Sequence, residues 1–350
     1  MSELSPTRVV VADDSALMRT VLSAALTQAG IEVVAVAGDG DEALAQCRRL
    51  SPDVLSLDLA MPGRDGVGVL RELRERRLQV PVVVVSAFSA AAGARAVDAL
   101  AEGAFDLVAK PTSREQVDAF ASELVKRIRL AHDAGRRHLD AARADQKVAV
   151  QTRPAPARLP SSGGSRVVII ACSTGGPRAL AELLPKLPPR FGDGTLVIQH
   201  MPAGFTASLA SRLDRVSQLT VSEATEGERP DGARVLLAPG GSHMRVGPDG
   251  LIRLTDEPAV HGLRPRADLT ISDAAAVWGE RVLLVVLTGM GKDSLDGAAA
   301  VRQAGGRIIV EAETSCIVHG MPRAVAQAGL ADEEVDLGSM AEAILAEVGP

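Results

Sequence analysis

Ser173, His200 and Asp293 have the residue types of an acyl-transfer triad: a hydroxyl, an imidazole and a carboxylate. Ser173 closes the apolar run V-V-I-I-A-C-S-T-G-G-P (167–177), in which Gly-Gly-Pro followed by R-A-L-A-E-L-L reads as a turn opening a helix. A serine at the carboxyl end of a buried strand, beside free backbone N–H groups, is a candidate nucleophile once a base can take its proton. His200 ends T-L-V-I-Q-H and is the first candidate for that base; His243, in A-P-G-G-S-H-M, is the second. Asp293 follows the run R-V-L-L-V-V-L-T and the turn Gly289-Met290-Gly291, and Asp296 is its rival as the acid that orients the imidazole. The same glycine turn offers backbone N–H groups to an oxyanion.

A second constellation lies upstream. Asp13 and Asp14 follow R-V-V-V-A, Asp58 ends V-L-S-L-D, Ser86 ends V-V-V-V-S, and Lys110 sits in A-K-P. Strand ends on one side of a parallel sheet converge, so three carboxylates there can share a hard cation such as Mg²⁺. One of them can then accept a phosphoryl group whose oxygens meet the lysine and the hydroxyl.

The elements needed to hold these residues recur along the chain. Short β-branched runs alternate with helical stretches from Arg8 to about Arg129, and again from Arg166 onward, which predicts parallel α/β sheets in two domains. The stretch between them, ending T-R-P-A-P-A-R-L-P-S-S-G-G-S, lacks apolar periodicity and reads as a linker entered by an overrunning helix. The expected boundaries are 7–127, a linker over 128–164, and 165–350.

Composition narrows the function classes. The chain has 46% hydrophobic and 23% charged residues, ordinary for a globular protein of two domains. A net charge of −6 and 2% aromatic residues argue against nucleic-acid binding, and no basic recognition helix is evident. Cys47, Cys172 and Cys316 are too scattered for a disulfide framework, which points to a reducing compartment. The first residues lack a secretory pattern and no apolar run can span a bilayer, so a cytoplasmic location without membrane insertion is expected. G-M-G-K-D-S fails as a phosphate loop, because Val286 stands at its first glycine and Asp293 at its Ser/Thr. A G-x-S-x-G elbow fails at Ala171. Cys172, next to Ser173 in an extended run, points to the opposite face and is expected to pack. A non-catalytic anion-binding module built on S-T-G-G would leave His200 and Asp293 without roles.

The first region, about 120 residues, resembles the receiver domain of two-component response regulators, a flavodoxin-like five-stranded parallel sheet. The resemblance implies that Asp58 is phosphorylated by a histidine kinase, that Asp13, Asp14 and Asp58 bind Mg²⁺, and that Ser86 and Lys110 sense the phosphoryl group. Leu107 stands where receivers often carry an aromatic switch residue. In the second region S-T-G-G-P, Q-H-M-P-A-G-F-T, A-P-G-G-S-H-M, R-P-x-x-D (265–268), T-G-M-G-K-D and C-I-V-H-G-M-P-R resemble, in order, the catalytic domain of the chemotaxis protein-glutamate methylesterases, the CheB family. This implies a doubly wound α/β domain with a mostly parallel sheet, hydrolysing glutamyl methyl esters on chemoreceptor helices and deamidating some receptor glutamines without a cofactor. Ser173, His200 and Asp293 become its triad, with the Met290 backbone at the oxyanion and Thr174 supporting the turn. The receiver is then expected to restrain the esterase until Asp58 is phosphorylated. Ala171 and Ser294 stand where the family commonly has glycine.

Overall fold

The computed structural model describes residues 6–87, 90–144 and 165–348. These form two compact units, one on each side of residues 145–164. That part of the expected linker lies outside the described residues; the earlier part, 128–144, belongs to a helix.

The first unit runs β1 (Arg8–Ala12), α1 (Ala16–Gln28), β2 (Glu32–Ala37), α2 (Gly40–Leu50), β3 (Val54–Asp58), α3 (Gly66–Glu75), β4 (Val82–Ser86), α4 (Ala90–Ala101), β5 (Asp106–Ala109) and α5 (Val117–Ala144). All five strands are parallel, in the order β2-β1-β3-β4-β5. Helices cover both faces, so consecutive valines of β1 and β4 are fully buried instead of alternating in and out. Ser15, Asp39 and Asp65 each accept a backbone N–H in the first turn of the helix that follows, which fixes where α1, α2 and α3 begin. Phe120, Leu124, Ile128, Ala131 and Ala134 recur at helical spacing and are buried, which carries α5 on past the expected end of the domain.

The second unit runs β6 (Val167–Cys172), α6 (Gly176–Leu183), β7 (Thr195–Gln199), α7 (Phe205–Val216), β8 (Thr220–Glu223), β9 (Arg234–Leu237), β10 (His243–Val246), β11 (Ile252–Thr255), α8 (Ala267–Trp278), β12 (Val282–Val286), α9 (Leu295–Gln303), β13 (Arg307–Glu311), α10 (Met321–Gln327), β14 (Glu333–Val335) and α11 (Met340–Val348). Seven strands form one parallel sheet, β14-β13-β12-β6-β7-β9-β8. The remaining pair, β10 and β11, is an antiparallel hairpin pinned to α8, where Arg245 forks onto Asp273 and the Thr270 hydroxyl donates to the Met244 carbonyl.

Both sheets have a switch point, where successive crossovers leave in opposite directions and a crevice opens at the carboxyl ends. In the second unit it falls at β6, flanked by β7 and β12. In the first it falls at β1, flanked by β2 and β3. Asp13 and Ser173 immediately follow these two strands.

Candidate active site and phosphoacceptor site

The turn that carries Ser173 is clamped from three sides. The Ser173 N–H donates to the Thr288 carbonyl at 3.0 Å, and the Gly176 N–H closes the turn on the Ser173 carbonyl at 2.8 Å. Gln199 spans the gap between strand ends: its amide nitrogen donates to the carbonyls of both Ser173 and His200 at 3.0 Å, while the Cys172 thiol donates to its oxygen. A Cβ on Gly176 would fall 1.9 Å from that oxygen, so only glycine lets α6 begin here. Cys172 is fully buried and burial pushes its thiol up, which makes it a packing residue, not a nucleophile.

His200 follows β7, its backbone N–H bonded to the Cys172 carbonyl at 3.1 Å. Its Nε2 lies 2.7 Å from Oδ2 of Asp293. Beside an ionised carboxylate that nitrogen is the donor, which leaves Nδ1 with the lone pair of a base. His243 is elsewhere: fully buried at the start of β10, with Nε2 3.2 Å from the Pro258 carbonyl. Asp296 is exposed in the first turn of α9, whereas Asp293 is buried and meets His200.

Asp293 is held by the N-terminus of α8. Its carboxylate accepts the N–H groups of Ala267 (2.7 Å) and Asp268 (3.0 Å), and Arg266 Nε lies 3.5 Å away. Burial alone would raise its pKa, but His200 and these donors outweigh it and hold the acid below the ordinary carboxylate range. Asp268 returns the contact, its Oδ1 accepting the N–H groups of Ser294 and Gly297 at 2.9 Å and so capping α9. Each helix is therefore capped by the aspartate at the head of the other. The sequence flagged R-P-x-x-D as a motif and left Asp268 without a role. Burial, opposed by the Gly297 N–H, pushes Asp268 above the usual range, and the Asp293 charge adds to the push.

Thr288 joins the serine turn to the glycine turn. Its hydroxyl donates to the Thr174 carbonyl at 3.0 Å and accepts the Val318 N–H at 2.9 Å. Its own N–H donates to the fully buried Glu311 at 2.7 Å. The Gly289 N–H is spent on the Val318 carbonyl, whereas no hydrogen bond among the described residues engages the Met290 N–H.

In the first unit Asp13, Asp14 and Asp58 bring one oxygen each within 4.8 Å of one another. Lys110 Nζ lies 2.7 Å from Oδ2 of both Asp13 and Asp58. The contact with Asp58 is aligned as a hydrogen bond, and that with Asp13 is an ion pair at the same distance. Three hard oxygens, two of them on buried acids, fit a divalent cation such as Mg²⁺. Burial raises the Asp13 carboxyl, and the Asp58 charge adds to this against the pull of Lys110. Ser86 is buried at the end of β4, its carbonyl accepting the Lys110 N–H at 2.8 Å.

Comparison with known proteins places this geometry. The family model described as CheB methylesterase matches residues 168–344, and that described as response regulator receiver domain matches 9–121. Curated relatives named protein-glutamate methylesterase/protein-glutamine glutaminase include one from Symbiobacterium thermophilum, 43% identical over 98% of each chain. Another, from Myxococcus xanthus, is 42% identical over 97% of each. The crystal structure of the Thermotoga maritima CheB methylesterase catalytic domain is 39% identical, covering 52% of this chain and 98% of that one, with a TM-score of 0.50. The chain belongs to the CheB methylesterase family.

Against the CheB pattern, the departures are absorbed locally. Ala171 is fully buried in the core, where its methyl packs. Ser294 takes φ +92, a left-handed conformation that suits glycine, and its hydroxyl bonds the carbonyl of Asp293. Leu107 is buried in β5 and Phe105 is buried just before it, so no aromatic ring occupies the usual switch position. No helix among the described residues is long and apolar enough to cross a membrane.

Two outcomes follow for the CheB-type site. Asp268→Ala removes the cap of α9 and leaves Arg266 with the weaker contact to Asp293; a loss of about 1–3 kcal/mol is expected in urea unfolding, together with slower catalysis. The depressed pKa of Asp293 stabilises the fold above the unfolded carboxyl value near ~3.9, and that contribution is lost as pH falls through the lower folded value. The raised pKa of Asp268 acts with the opposite sign. Asp293→Asn should therefore flatten the acid limb of stability against pH, and an unchanged limb would place the carboxylate's stabilisation elsewhere.

Proposed function

We propose that this protein hydrolyses glutamyl methyl esters on the cytoplasmic helices of a chemoreceptor, and deamidates particular glutamines there, under control of phosphorylation at Asp58. The observation that carries the reading is the His200–Asp293 pair at the end of β7, tied through Gln199 to the turn of Ser173. Ser173 Oγ attacks the γ-carbonyl while His200 Nδ1 takes its proton, a role of about 10²–10⁴-fold in rate. Asp293 keeps the other nitrogen protonated and balances the imidazolium. The Met290 N–H, with Thr174 and Thr288 fixing the facing turns, meets the oxyanion, a donor worth about 10²–10³-fold. The proton on His200 passes to the methoxide oxygen, methanol leaves, and water activated by the same imidazole frees glutamate and Ser173. Deamidation follows the same path with ammonia as the leaving group.

The receiver supplies the control. Asp58 is the acceptor for a phosphoryl group from a histidine kinase. Asp13, Asp14 and Asp58 would hold the Mg²⁺, which neutralises charge on the transferring phosphoryl group. Lys110, released from its carboxylates, and Ser86 would bind the phosphoryl oxygens. A cytoplasmic location accords with this partner set and with three free, buried cysteines.

Ser173→Ala should cut methanol release from methylated receptor by at least ~10⁴-fold with the fold intact by circular dichroism. Methanol release persisting in that variant would remove Ser173 from the mechanism. A small-molecule phosphodonor with Mg²⁺ should raise the rate of the full chain several-fold and leave Asp58→Asn at its basal rate. Equal responses from the two chains would contradict the gate.

A further inference from the structure

The lysines and arginines of the second unit are unevenly partnered. Nearly all are engaged by carboxylates, carbonyls or hydroxyls, as Arg245 is by Asp273, Arg307 by Glu347 and Arg281 by Asp193. Among the described residues of this unit, Arg178, Lys292 and Arg323 are the cations whose side chains make neither an ion pair nor a hydrogen bond. All three are exposed, in a chain whose net charge is −6.

These cations lie on the segments that follow the strands at and beside the Ser173 turn. Arg178 lies in the first turn of α6, the helix that opens on the serine turn. Lys292 adjoins Asp293 in the turn after β12. Arg323 lies in the first turn of α10, whose leading residue Met321 donates its N–H to the Gly289 carbonyl at 2.8 Å. Gly289 in turn abuts the nucleophile: a Cβ on it would come 3.0 Å from Ser173 Cβ. The three residues thus lie in segments that follow the carboxyl ends of β6, β12 and β13, which are adjacent in the sheet. Glu182, Asp296 and Glu313 are the exposed acids on the same segments; Glu182 pairs with Lys186 at 3.3 Å, and Glu313 lies 3.8 Å from His319 Nδ1.

Their placement opposes local stability. Arg178 follows a proline in the first turn of α6, where the helix dipole favours anions and repels cations, and Arg323 follows a proline at the start of α10. Neither cation is offset by a carboxylate of its own. An external anion would satisfy both the charge and the missing partner.

We propose that Arg178, Lys292 and Arg323 form a docking rim for an acidic segment of the protein substrate, one whose carboxylates flank the reacting glutamyl ester. The proposal rests on the esterase reading above and adds what the enzyme recognises around the ester. Each turnover converts a neutral ester or amide into a carboxylate, so a segment with several such positions is acidic and gains charge as it is processed. Exposed cations act on such a partner through encounter and orientation, an effect that salt screens over about 8–10 Å. The rim therefore enters kcat/KM and its ionic-strength dependence. The product, one charge richer than the substrate, should be held more tightly and inhibit at low salt.

The test uses the full chain with a phosphodonor and three synthetic peptides, each with a central glutamyl methyl ester flanked by Glu, Gln or Lys. At low salt the wild type should favour the Glu-flanked over the Gln-flanked ester by about tenfold in kcat/KM, a preference that fades near ~1 M salt. Arg178→Gln/Lys292→Gln/Arg323→Gln should lose that preference, and Arg178→Glu/Arg323→Glu should turn it toward the Lys-flanked peptide. Binding of the same peptides to Ser173→Ala, followed by fluorescence anisotropy, reads the rim without turnover. Salt-sensitive selectivity for the Glu-flanked peptide there supports the rim even if no peptide is hydrolysed, an outcome that would count against the esterase reading alone. Equal affinity for Glu- and Lys-flanked peptides, or a preference that survives the triple neutralisation, overturns the rim.

Discussion

The carboxylate of Asp293 is the constraint on which the second unit turns. At 4% exposure an ionised acid would neutralise itself by taking a proton unless donors replaced its water. Here the donors are two N–H groups at the head of α8 and the ring of His200, so one anion caps a helix and orients a base. Rotating the carboxylate to suit only one of these tasks would abandon the other. The return contact from Asp268 to the head of α9 fixes the chain on both sides of Asp293. The geometry of the proposed triad and helix docking are consequently one structure, and the helix N-terminus supplies the fixed positive field that favours the charged form of Asp293.

Both units apply the same economy of position. A parallel sheet covered on both faces has mostly apolar strand interiors, so chemistry is concentrated at the carboxyl ends. There each buried acid needs an opposite charge or a helix end. Asp13 and Asp58 share the ammonium of Lys110, a single side-chain cation. Asp293 has rigid backbone donors instead. The difference matches the two proposed tasks: a phosphoacceptor would release its lysine to a new phosphoryl group and metal, whereas a triad acid has to stay fixed.

What could be read in the sequence was whatever a strand end dictates locally. Ser173, His200, Asp13, Asp58, Ser86 and Lys110 each end or immediately follow a β-branched run, and a run of that kind announces its own boundary. The sequence favours Asp293 over Asp296 by its place after the glycine turn and by the family resemblance; its burial and the exposure of Asp296 add a physical reason that spacing alone does not supply. Gln199 and Asp268 escaped because their partners are remote in the chain: Asp268 meets Ser294 and Gly297 across a helix crossing, and Gln199 bridges two strands. The hairpin of β10 and β11 was hidden for another reason: glycine turns and short polar strands resemble a loop, and His243 proved to be buried within it. Composition masked the far half of α5, since its buried face is partly alanine and carries little hydrophobic contrast.

Glu311 extends the argument about buried charge to the nucleophile. It lies fully buried at the end of β13, accepting the N–H of Thr288 and the hydroxyl of Ser315. Burial, opposed by those donors, raises its carboxyl above the ordinary range. An apolar residue would leave the Thr288 N–H unpaired in the core, a loss of about 1–3 kcal/mol. More is at stake than that one bond, because Thr288 is the residue through which three strand ends communicate. Its carbonyl takes the Ser173 N–H, and its hydroxyl links the carbonyl of Thr174 to the N–H of Val318. A buried acid that seldom strengthens a core is thus placed where it settles the relative height of the serine turn and the glycine turn. In the proposed mechanism, that height sets how closely the Met290 N–H approaches an oxyanion formed at Ser173.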